Sequence, residues 1–321
     1  GPGGEVLGEA LRSQVDDHRI FGGVVPELAS RCHVEAIEPV VEEALSQAGL
    51  SLDQVGSIAS TAGPGLVGCL LVGLSFAQGV AAARDIPFLG INHLEGHLLA
   101  PFIGQPEPAF PFVGLIVSGG HTLLVLARGV GDYEVLGETR DDAAGEAFDK
   151  GARLLGLPYP GGIAIDRLAR EGDSGAVDLP RGLSRRGNLE FSFSGLKTAV
   201  WKHVQSSGVP EGEALNDFCA SLQEAIVDVL LRKTRSAVEE HGVNRVVVTG
   251  GVAANSRLRA LFDETARTDG WELCVPERRW CTDNATMIGY VAALRLTRGD
   301  RSPLSLDAYP GLSFGQVPGR N

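Results

Sequence analysis

Two histidines in residues 91–101 have the spacing of a metal site. His93 and His97 are four residues apart in a segment that we predict to form the first turns of a helix. Residues at positions i and i+4 share one helix face, so both imidazoles can reach a single ion. The same spacing also occurs in histidines that only pack within a fold. A metal site would need a third ligand, and a carboxylate suits iron with open coordination positions.

Asp283 is our candidate for that third ligand. It ends an irregular segment at a predicted helix start, where side chains point into clefts. A zinc-protease site is excluded, because such sites use HExxH, in which the glutamate directly follows the first histidine. Glu95 lies two residues after His93, roughly 200° around the helix, so it cannot easily act as a base at an ion held by both histidines.

Three glycine-rich segments, residues 61–68, 117–122 and 249–255, each follow an apolar run that we predict to be a buried strand. Glycines at such turns let a helix N-terminus or backbone amides approach an anion, although a close packing contact explains them equally well. Residues 112–127 have the order strand, glycine turn, strand, which sugar-kinase and actin-like folds use to hold phosphate. We therefore expect a metal beside a nucleotide-like ligand.

Predicted strands and helices alternate along the chain, which is typical of α/β proteins with mixed sheets. The predicted strands are residues 5–14, 55–61, 86–91, 112–117, 122–127, 245–249 and 271–275. The predicted helices are residues 26–49, 66–84, 141–155, a segment from 163, 214–241, 256–267 and a last one that residues 281–284 cap and that ends near 297.

The composition is that of an ordinary soluble protein with room for two cores, since 44% of the 321 residues are hydrophobic and 21% are charged. A formal net charge of −12 argues against broad, nonspecific attraction to nucleic acid or anionic membrane. Glycines interrupt the apolar stretches and no leader pattern opens the chain, so we expect no membrane span and no secretion. Five cysteines without a CxxC pair favour a reducing, cytoplasmic compartment.

Residues 179–197, which we predict to be irregular, interleave basic and aromatic side chains as a nucleic-acid groove does. The basic residues are Arg181, Arg185, Arg186 and Lys197, and the aromatic alternation is Phe191-Ser192-Phe193-Ser194. An exposed loop with ordinary solvated arginines is the alternative.

Nine motifs, in order from residue 22 to residue 290, resemble those of the bacterial tRNA threonylcarbamoyltransferase family, TsaD. They are GGVVPELASR (22–31), TAGPGLVG (61–68), HLEGHLLAP (93–101), VSGGHT (117–122), DDAAGEAFDK (141–150), YPGG (159–162), FSFSGLKT (191–198), GGVAAN (250–255) and CTDNATMIGY (281–290). Their number and order argue against chance similarity, and they favour the metal interpretation of His93 and His97 over simple packing.

The resemblance implies transfer of a threonylcarbamoyl group from threonylcarbamoyl-AMP to N6 of adenosine 37 in tRNAs that read ANN codons, which is t6A synthesis. It implies one Fe2+ per subunit, or Zn2+ or another divalent ion, held by His93, His97 and Asp283. The positions that match the family's adenylate contacts are Ile116, Val117, Ser118, Gly119, Gly120, Asp149, Gly162, Asp166 and Asn255. Because no Ser or Cys pairs with a base in the sequence, we expect direct transfer without a covalent enzyme intermediate.

The implied fold is a two-lobed actin-like ATPase fold (sugar kinase/Hsp70 type, RNase H-like), α/β with mixed sheets and an interlobe cleft. We expect residues 1–108 to form a first lobe with the metal helix and residues 109–293 a second lobe with the adenylate-binding turns, with residues 294–321 returning to the first lobe. The expected partners are tRNA, a TsaB-like paralogue, a TsaE-like ATPase and an upstream TsaC-like synthase, with no membrane.

Two features depart from the family pattern. Ile116 stands where archaeal and eukaryotic relatives carry a tyrosine metal ligand, which agrees with a bacterial-type site. Family members also begin with a strand and an acidic, threonine-rich phosphate loop before the segment that matches residues 5–14, so we expect weak or no transfer by this polypeptide alone.

Two alternatives to the transferase remain. An O-carbamoyltransferase of small hydroxylated molecules shares the lobes and the two-histidine site, but those relatives carry a large additional C-terminal domain. A non-catalytic nucleotide-binding scaffold belongs to a different class of protein, and the presence of His93, His97, Asp283 and Asn255 counts against it.

Overall fold

The computed structural model describes residues 4–105, 107–185 and 187–316, in which helices and strands alternate. Arg186, one of the basic residues named above, lies outside the described residues. In chain order the elements are α1 (Val15–Arg19), α2 (Pro26–Ala48), β1 (Ile58–Gly63), α3 (Val67–Arg84), β2 (Phe88–Asn92), α4 (His93–Leu99), β3 (Phe112–Val117), β4 (Thr122–Gly129), β5 (Asp132–Glu138), α5 (Ala144–Leu154), α6 (Gly161–Ala169), α7 (Ser194–Ser207), α8 (Glu213–His241), β6 (Arg245–Thr249), α9 (Ser256–Asp269), β7 (Glu272–Cys274) and α10 (Ala285–Thr297).

The chain divides into two compact units. The first comprises Gly1–Ala109, Gly129–Asp132 and Asp283–Asn321, and the second comprises Phe110–Arg128 and Tyr133–Thr282. Helix α10 belongs wholly to the first unit, because it packs against α4, β1 and β2. The chain therefore returns from the second unit to the first at Asp283, whereas we expected the second lobe to extend to residue 293.

The first unit is built on a parallel pair of strands joined by a helix. β1 and β2 pair from Ile58 opposite Phe88 to Thr61 opposite Ile91, and α3 connects them. Their core is completed by Leu306 of the C-terminal tail, which packs with Ala62 and Phe88. Because β2 passes directly into α4, the end of the strand positions the first histidine.

Helix α3 has 18 residues and a mean hydropathy of 1.5, which suffices in length and composition to cross a membrane. Core helices of folded units can pass the same test. The buried residues of α3 recur at the spacing of a single helix face, and the helix packs on β1 and α2. Only 22% of the helix is buried, so α3 packs one face on the first unit and leaves the rest of its apolar surface uncovered.

The second unit contains a five-stranded mixed sheet in the order β5-β4-β3-β6-β7. β3 pairs antiparallel with β4, whereas β6 pairs parallel with both β3 and β7. Every residue of β3 is buried, as expected for a central strand with both faces covered. The long helix α8 contributes Phe218, Leu222 and Ile226 to the core of this unit. The predicted α/β fold with mixed sheets is confirmed.

The predicted strand at residues 5–14 is wrong, because this segment forms no regular element. A strand needs a hydrogen-bonded neighbour, and in the described part of the chain neither sheet pairs with these residues. The segment lies along α2 instead, where the backbone N–H of Glu9 donates to the Gln47 side chain at 3.1 Å. Gly8 faces the carbonyl of Ala44 so closely that a Cβ atom would collide with it.

The short helix α1, the strand β5 and most of α7 were not predicted from the sequence. Most residues of β5 are exposed or half-buried, so this edge strand lacks the apolar run that marked the others. Helix α7 begins at Ser194, inside the segment predicted to be irregular. Its first backbone N–H groups are bound by an acidic side chain far away in the sequence, which no local pattern reveals.

Candidate functional site

The two histidines lie at the first turns of α4. Asn92 caps this helix, since its side-chain oxygen accepts a hydrogen bond from the backbone N–H of Leu94 at 3.0 Å. The imidazoles of His93 and His97 are edge to face, with ring centroids 4.7 Å apart. Both Nε2 atoms face Oδ1 of Asp283, at 3.3 Å from His93 and 3.1 Å from His97. The helix and the start of α10 thus bring together the three residues that the sequence singled out.

The protonation states in this cluster suit metal binding. Burial lowers the pKa of His97, although the hydrogen bond to Asp283 acts in the opposite direction, so the imidazole is neutral at neutral pH. Desolvation acts to raise the pKa of Asp283, but hydrogen bonds and charge interactions with both histidines outweigh it and lower that pKa. A neutral imidazole and an ionised carboxylate are the forms that coordinate a metal.

The spacing of the three donor atoms also fits a single divalent ion. One ligand atom from each of His93, His97 and Asp283 lies within 4.8 Å of the others. Atoms bound to one ion at about 2.1 Å are typically about 3 to 3.5 Å apart from one another. The Asp283 side chain is 79% exposed, whereas His97 is buried, so an ion would be reachable from solvent on the carboxylate side. Two imidazoles with one carboxylate form the donor set of non-haem iron sites.

Close packing between α4 and α10 makes this cluster possible. Gly96 lies between the histidines, and a Cβ atom there would approach Ile288 and Met287 of α10 to 2.8 and 3.1 Å. Glu95 faces away from the histidines and forms two buried hydrogen bonds to Arg295 of α10, at 2.9 and 3.0 Å. The glutamate that could be mistaken for a protease base is therefore engaged in holding the two helices together.

In the second unit, β3 leads from the buried Ile116 and Val117 into the turn Ser118-Gly119-Gly120. The backbone N–H of Ser118 donates to the carbonyl of His121 at 2.8 Å, and the Ser118 hydroxyl accepts from the N–H of His121 at 3.1 Å. Both glycines are exposed, and a Cβ atom on either would meet nothing. Their backbone N–H groups are therefore accessible to an anionic ligand.

Helix α5 starts against this turn and carries Asp149. The N–H of Gly145 donates to the carbonyl of Ser118 at 3.2 Å, and a Cβ atom at Gly145 would come within 2.8 Å of Gly119. Asp149 Oδ1 accepts from the N–H of Gly161 at 2.8 Å. Burial raises the pKa of Asp149, although hydrogen bonds from the Gly161 and Gly162 N–H groups partly oppose this effect. Asp149 and Gly162 thus meet where α6 begins.

Asp166 and Asn255 meet at the start of α9. Asp166 Oδ1 accepts from the N–H and hydroxyl of Ser256, at 3.1 and 2.6 Å. Asn255 caps α9 by accepting from the N–H of Leu258, and its amide donates to Gln223 at 2.6 Å. These protein contacts leave further lone pairs on the Asp166 carboxylate for ligand hydroxyls.

Asp141 has a role that was not predicted from the sequence. Its carboxylate accepts hydrogen bonds from the hydroxyls of Ser192 and Ser194, at 2.5 and 2.7 Å. It also accepts from the backbone N–H groups of Phe193 and Ser194, at 2.7 and 3.1 Å. The motifs DDAAGEAFDK and FSFSGLKT are thus joined in space. The acidic residues at the start of the first motif and the hydroxyl groups of the second were the sequence features that could have predicted this contact.

Comparison with known proteins gives the same family as the motifs. The sequence model of TsaD, described as tRNA N6-adenosine threonylcarbamoyltransferase, matches residues 5–290. A protein of that name from Anaeromyxobacter sp. (strain Fw109-5) is 55% identical over 309 residues, covering 96% of this chain and 93% of the relative. Another, from Geobacter metallireducens (strain ATCC 53774 / DSM 7210 / GS-15), is 54% identical over 307 residues, covering 95% and 90%.

Two solved structures share the fold. Full-length HypF in the phosphate- and nucleotide-bound form aligns with a TM-score of 0.60 at 13% identity, over 80% of this chain and 49% of HypF. HypF of T. kodakarensis gives 0.59 at 13% identity, over 83% and 44%. Together with the family match, this likeness confirms the predicted fold class of actin-like ATPases. With a family model over residues 5–290 and relatives more than half identical, the chain belongs to the tRNA N6-adenosine threonylcarbamoyltransferase family, TsaD.

Proposed function

We propose that this chain transfers the threonylcarbamoyl group of threonylcarbamoyl-AMP to N6 of adenosine 37 in tRNAs that read ANN codons. Membership of the family supports the reaction class. The observation that carries the proposal is the convergence of His93, His97 and Asp283, one donor atom of each within 4.8 Å of the others, at the motifs shared with the family. Its product would be tRNA carrying t6A.

The three converging residues would hold one divalent ion, which we propose to be Fe2+, with Zn2+ or another divalent ion as the alternative. When bound, such an ion supplies Lewis-acid polarisation of a carbonyl oxygen. The buried, neutral His97 and the exposed, ionised Asp283 place the donor set at the surface of the first unit. A substrate carbonyl can approach from the carboxylate side.

The turns of the second unit would hold threonylcarbamoyl-AMP. Backbone N–H groups of Gly119 and Gly120, in the turn that Ser118 and the buried Ile116 and Val117 hold in place, suit the phosphate and carboxylate of this anion. The carboxylates of Asp149 and Asp166 suit the ribose hydroxyls, because a carboxylate accepts strong hydrogen bonds. Gly162 and Asn255 lie beside these two acids and would shape the same ligand site.

Direct attack by the adenosine amine accounts for transfer better than a covalent enzyme intermediate. An enzyme nucleophile needs an activated thiol or hydroxyl. Burial raises the pKa of Cys219 to about 11, and it also raises the pKa of Cys274 and Cys281, so these thiols are protonated at neutral pH. The attacking nitrogen would form the new bond to the carbonyl carbon as the bond from that carbon to the phosphate oxygen breaks, with AMP leaving with the electron pair and the amine proton passing to solvent.

The proposed partners are tRNA, a TsaB-like paralogue and a TsaE-like ATPase, with a TsaC-like synthase supplying the adenylate. Apolar side chains exposed on neighbouring helices support a protein partner on the first unit: Val34 of α2 and Val67 and Leu71 of α3. Five free cysteines support a reducing compartment, and we propose the cytoplasm.

Replacing Asp283 tests the metal centre with little disturbance of the fold, because its side chain is largely exposed. Asp283→Asn removes the anionic ligand, and we expect metal affinity and the rate of t6A formation to fall by about 100-fold or more. Metal content is measured by elemental analysis, and transfer by nucleoside analysis of tRNA incubated with the chain, its partners and threonylcarbamoyl-AMP.

Asp263→Asn is the matched control, since Asp263 is an exposed acid on α9 of the second unit and is not one of the three converging residues. We expect this variant to keep the metal content and the rate of transfer of the wild-type chain. An Asp283→Asn protein with wild-type metal content and wild-type transfer would contradict the assignment of the centre.

A further inference from the structure

The outward side of α7 carries a half-exposed tryptophan between lysines. Trp201 is 50% exposed, whereas the other two tryptophans, Trp271 and Trp280, are only 9% and 7% exposed. Lys197 lies one turn before Trp201 on the same helix face, and Lys202 follows it directly; both are exposed. Among the described residues, no carboxylate lies within ion-pair distance of either ammonium group. The surface formed by Lys197, Trp201 and Lys202 is hereafter the α7 face.

The charge around the α7 face differs from that of the whole chain. Residues 191–209 contain two lysines and no aspartate or glutamate, in a protein whose formal net charge is −12. Other cations near the start of α5 are neutralised: Lys150 pairs with Asp142 and Glu146, and Arg140 pairs with Glu190. The α7 face is thus a local positive surface with unpaired charge, available to an anionic partner.

The helix that presents this face is firmly held. Leu196 and Val200, on its inner side, are buried in the core of the second unit, and α7 packs on α5. Its first turn is bound by the Asp141 carboxylate through the Phe193 and Ser194 N–H groups. Asp141 lies just before α5, whose N-terminus bonds the Ser118 carbonyl. A chain of direct contacts therefore connects the α7 face to the turn proposed for the adenylate.

An aromatic ring flanked by cations is the arrangement that binds unpaired nucleic-acid bases. Bases stack on an exposed indole, while lysines bind the phosphates on either side. A paired duplex offers its phosphates but keeps its bases stacked on one another. An anticodon loop offers both phosphates and unpaired bases, so it matches the α7 face in charge and in having rings that can stack on an indole.

We propose that the α7 face binds the anticodon loop of the tRNA, with Trp201 stacked on an unpaired base next to the modified adenosine and Lys197 and Lys202 on the flanking phosphates. This inference rests on the proposed function, because it assigns the surface that holds the acceptor RNA. It attributes recognition of single-stranded RNA to a helix of which only the first turn, residues 194–197, lies in the segment predicted to be an irregular basic groove.

Tryptophan fluorescence tests the inference without any turnover. Because Trp271 and Trp280 are buried, Trp201 is the tryptophan that acrylamide quenches most readily. We expect a 17-nucleotide anticodon stem–loop RNA to protect the full-length chain from acrylamide quenching, and a blunt RNA duplex of equal length to protect it little. The Trp201→Phe protein reports the signal from the two buried tryptophans alone.

Variants then separate stacking from charge, with binding of the labelled stem–loop measured by fluorescence anisotropy. Trp201→Ala is expected to weaken stem–loop binding about tenfold and duplex binding little, while Trp201→Phe, which keeps a ring, restores most of the affinity. The double variant Lys197→Ala with Lys202→Ala is expected to make the fall of log affinity with log salt less steep. The magnitude of the slope should decrease by about 1.4, or about 0.7 per lysine. Arg267→Ala, an exposed cation on α9, is the matched control and should leave both quantities unchanged.

The outcomes distinguish this inference from the proposed function. If Trp201→Ala binds the stem–loop as tightly as wild type, or if only a protein partner protects Trp201 from acrylamide, the α7 face is not an RNA surface. That result would leave the transferase proposal intact. A chain with Trp201-dependent RNA binding but no metal bound at His93, His97 and Asp283 would support the surface and overturn the proposed metal centre.

Discussion

At the scale of single residues, Asp141 shows how one carboxylate can organise two distant motifs. Its two oxygens accept four hydrogen bonds from Ser192, Phe193 and Ser194. Desolvation acts to raise the pKa of Asp141, but these hydrogen bonds outweigh it and hold that pKa below its usual value. The ionised carboxylate therefore stabilises the start of α7, and with it the orientation of the α7 face.

The lowered pKa predicts a pH-dependent contribution of Asp141 to stability. A group with a lowered pKa in the folded state stabilises fully above its unfolded pKa, about 3.9, and this contribution is lost as pH falls through the folded value. We expect Asp141→Asn to lower the free energy of unfolding by about 1 kcal/mol at pH 7, a small value because Asp141 is exposed. The difference from wild type should shrink as pH falls below 4, as measured by urea unfolding.

Asp178→Asn is the control for that series. Asp178 is fully exposed, and its ion pair with Arg181 is long, at 3.9 Å. The free energy of unfolding of this variant should be close to that of wild type both at pH 7 and below pH 4. A difference for Asp141→Asn that is constant from pH 7 down to pH 3 would show that the carboxylate charge does not support the loop.

The residues of the candidate metal centre were accessible from sequence, whereas the partners of the other acids were not. His93 and His97 follow from helical spacing, and the resemblance to the family supported Asp283. Hydrogen bonds such as those of Asp166 to Ser256 join residues that are far apart in sequence. Such contacts depend on how helices pack, which local patterns of residue type do not encode.

At the scale of elements, the pair α4 and α10 determines whether the three ligands meet. Glu95 and Arg295 form a buried, two-bond ion pair between these helices, and Arg295 also contacts Asp300 at 3.2 Å. The pair fixes the rotation of α4 relative to α10, and hence the direction in which His93 and His97 point. Its role is positional, since it faces away from the ligands.

Breaking this pair separates its effect on stability from its effect on the metal. Arg295→Met leaves a buried glutamate without its partner, and we expect a loss of about 3–5 kcal/mol in the free energy of unfolding. The double variant Glu95→Leu with Arg295→Met removes both charges and should recover most of that loss. Because the ion pair no longer fixes the helix rotation, its metal affinity should stay about 10- to 100-fold below wild type.

Both quantities are measured on the same samples, stability by chemical denaturation of the metal-free chain and affinity by competition with a chelator. A double variant with wild-type metal affinity would show that hydrophobic packing around Gly96 alone positions the ligands. Failure of the double variant to recover stability would show instead that the pair contributes more than the apolar replacement.

Element prediction succeeded where apolar runs were strong and failed where stability came from distant contacts. Buried strands such as β3 and β6 stand out as continuous apolar runs, and α2 was bounded correctly by Pro26 and Gly49. The exposed edge strand β5 has no such run. Residues 5–14 were predicted to be a strand, but they pair with no neighbour in the described sheets and lie along α2.

At the scale of the whole molecule, the chain enters the first unit, builds the second and then returns to the first. The returning tail is bound to the parallel strands by main-chain contacts: the N–H of Ser302 donates to the Phe88 carbonyl, and the N–H of Tyr309 to that of Ala62. Asn92, the cap of the metal helix, donates to the Ser313 carbonyl at 3.0 Å. The last residues of the described chain thus complete a unit begun by the first.

Leu306 and Leu304 provide a matched test of that closure, because they lie two residues apart on the same tail. Leu306 is buried among Ala62, Leu74 and Phe88, and it covers Gly90 of β2, whereas Leu304 is exposed. We expect Leu306→Ala to lower the free energy of unfolding by about 2–4 kcal/mol, the range for a buried leucine, and Leu304→Ala to change it by less than about 0.5 kcal/mol. Hydrogen exchange should show faster exchange in β1 and β2 for Leu306→Ala only. Equal protection of these strands in both variants would mean that the parallel strands are stable without the tail, and that its return is not needed to hold the start of the metal helix.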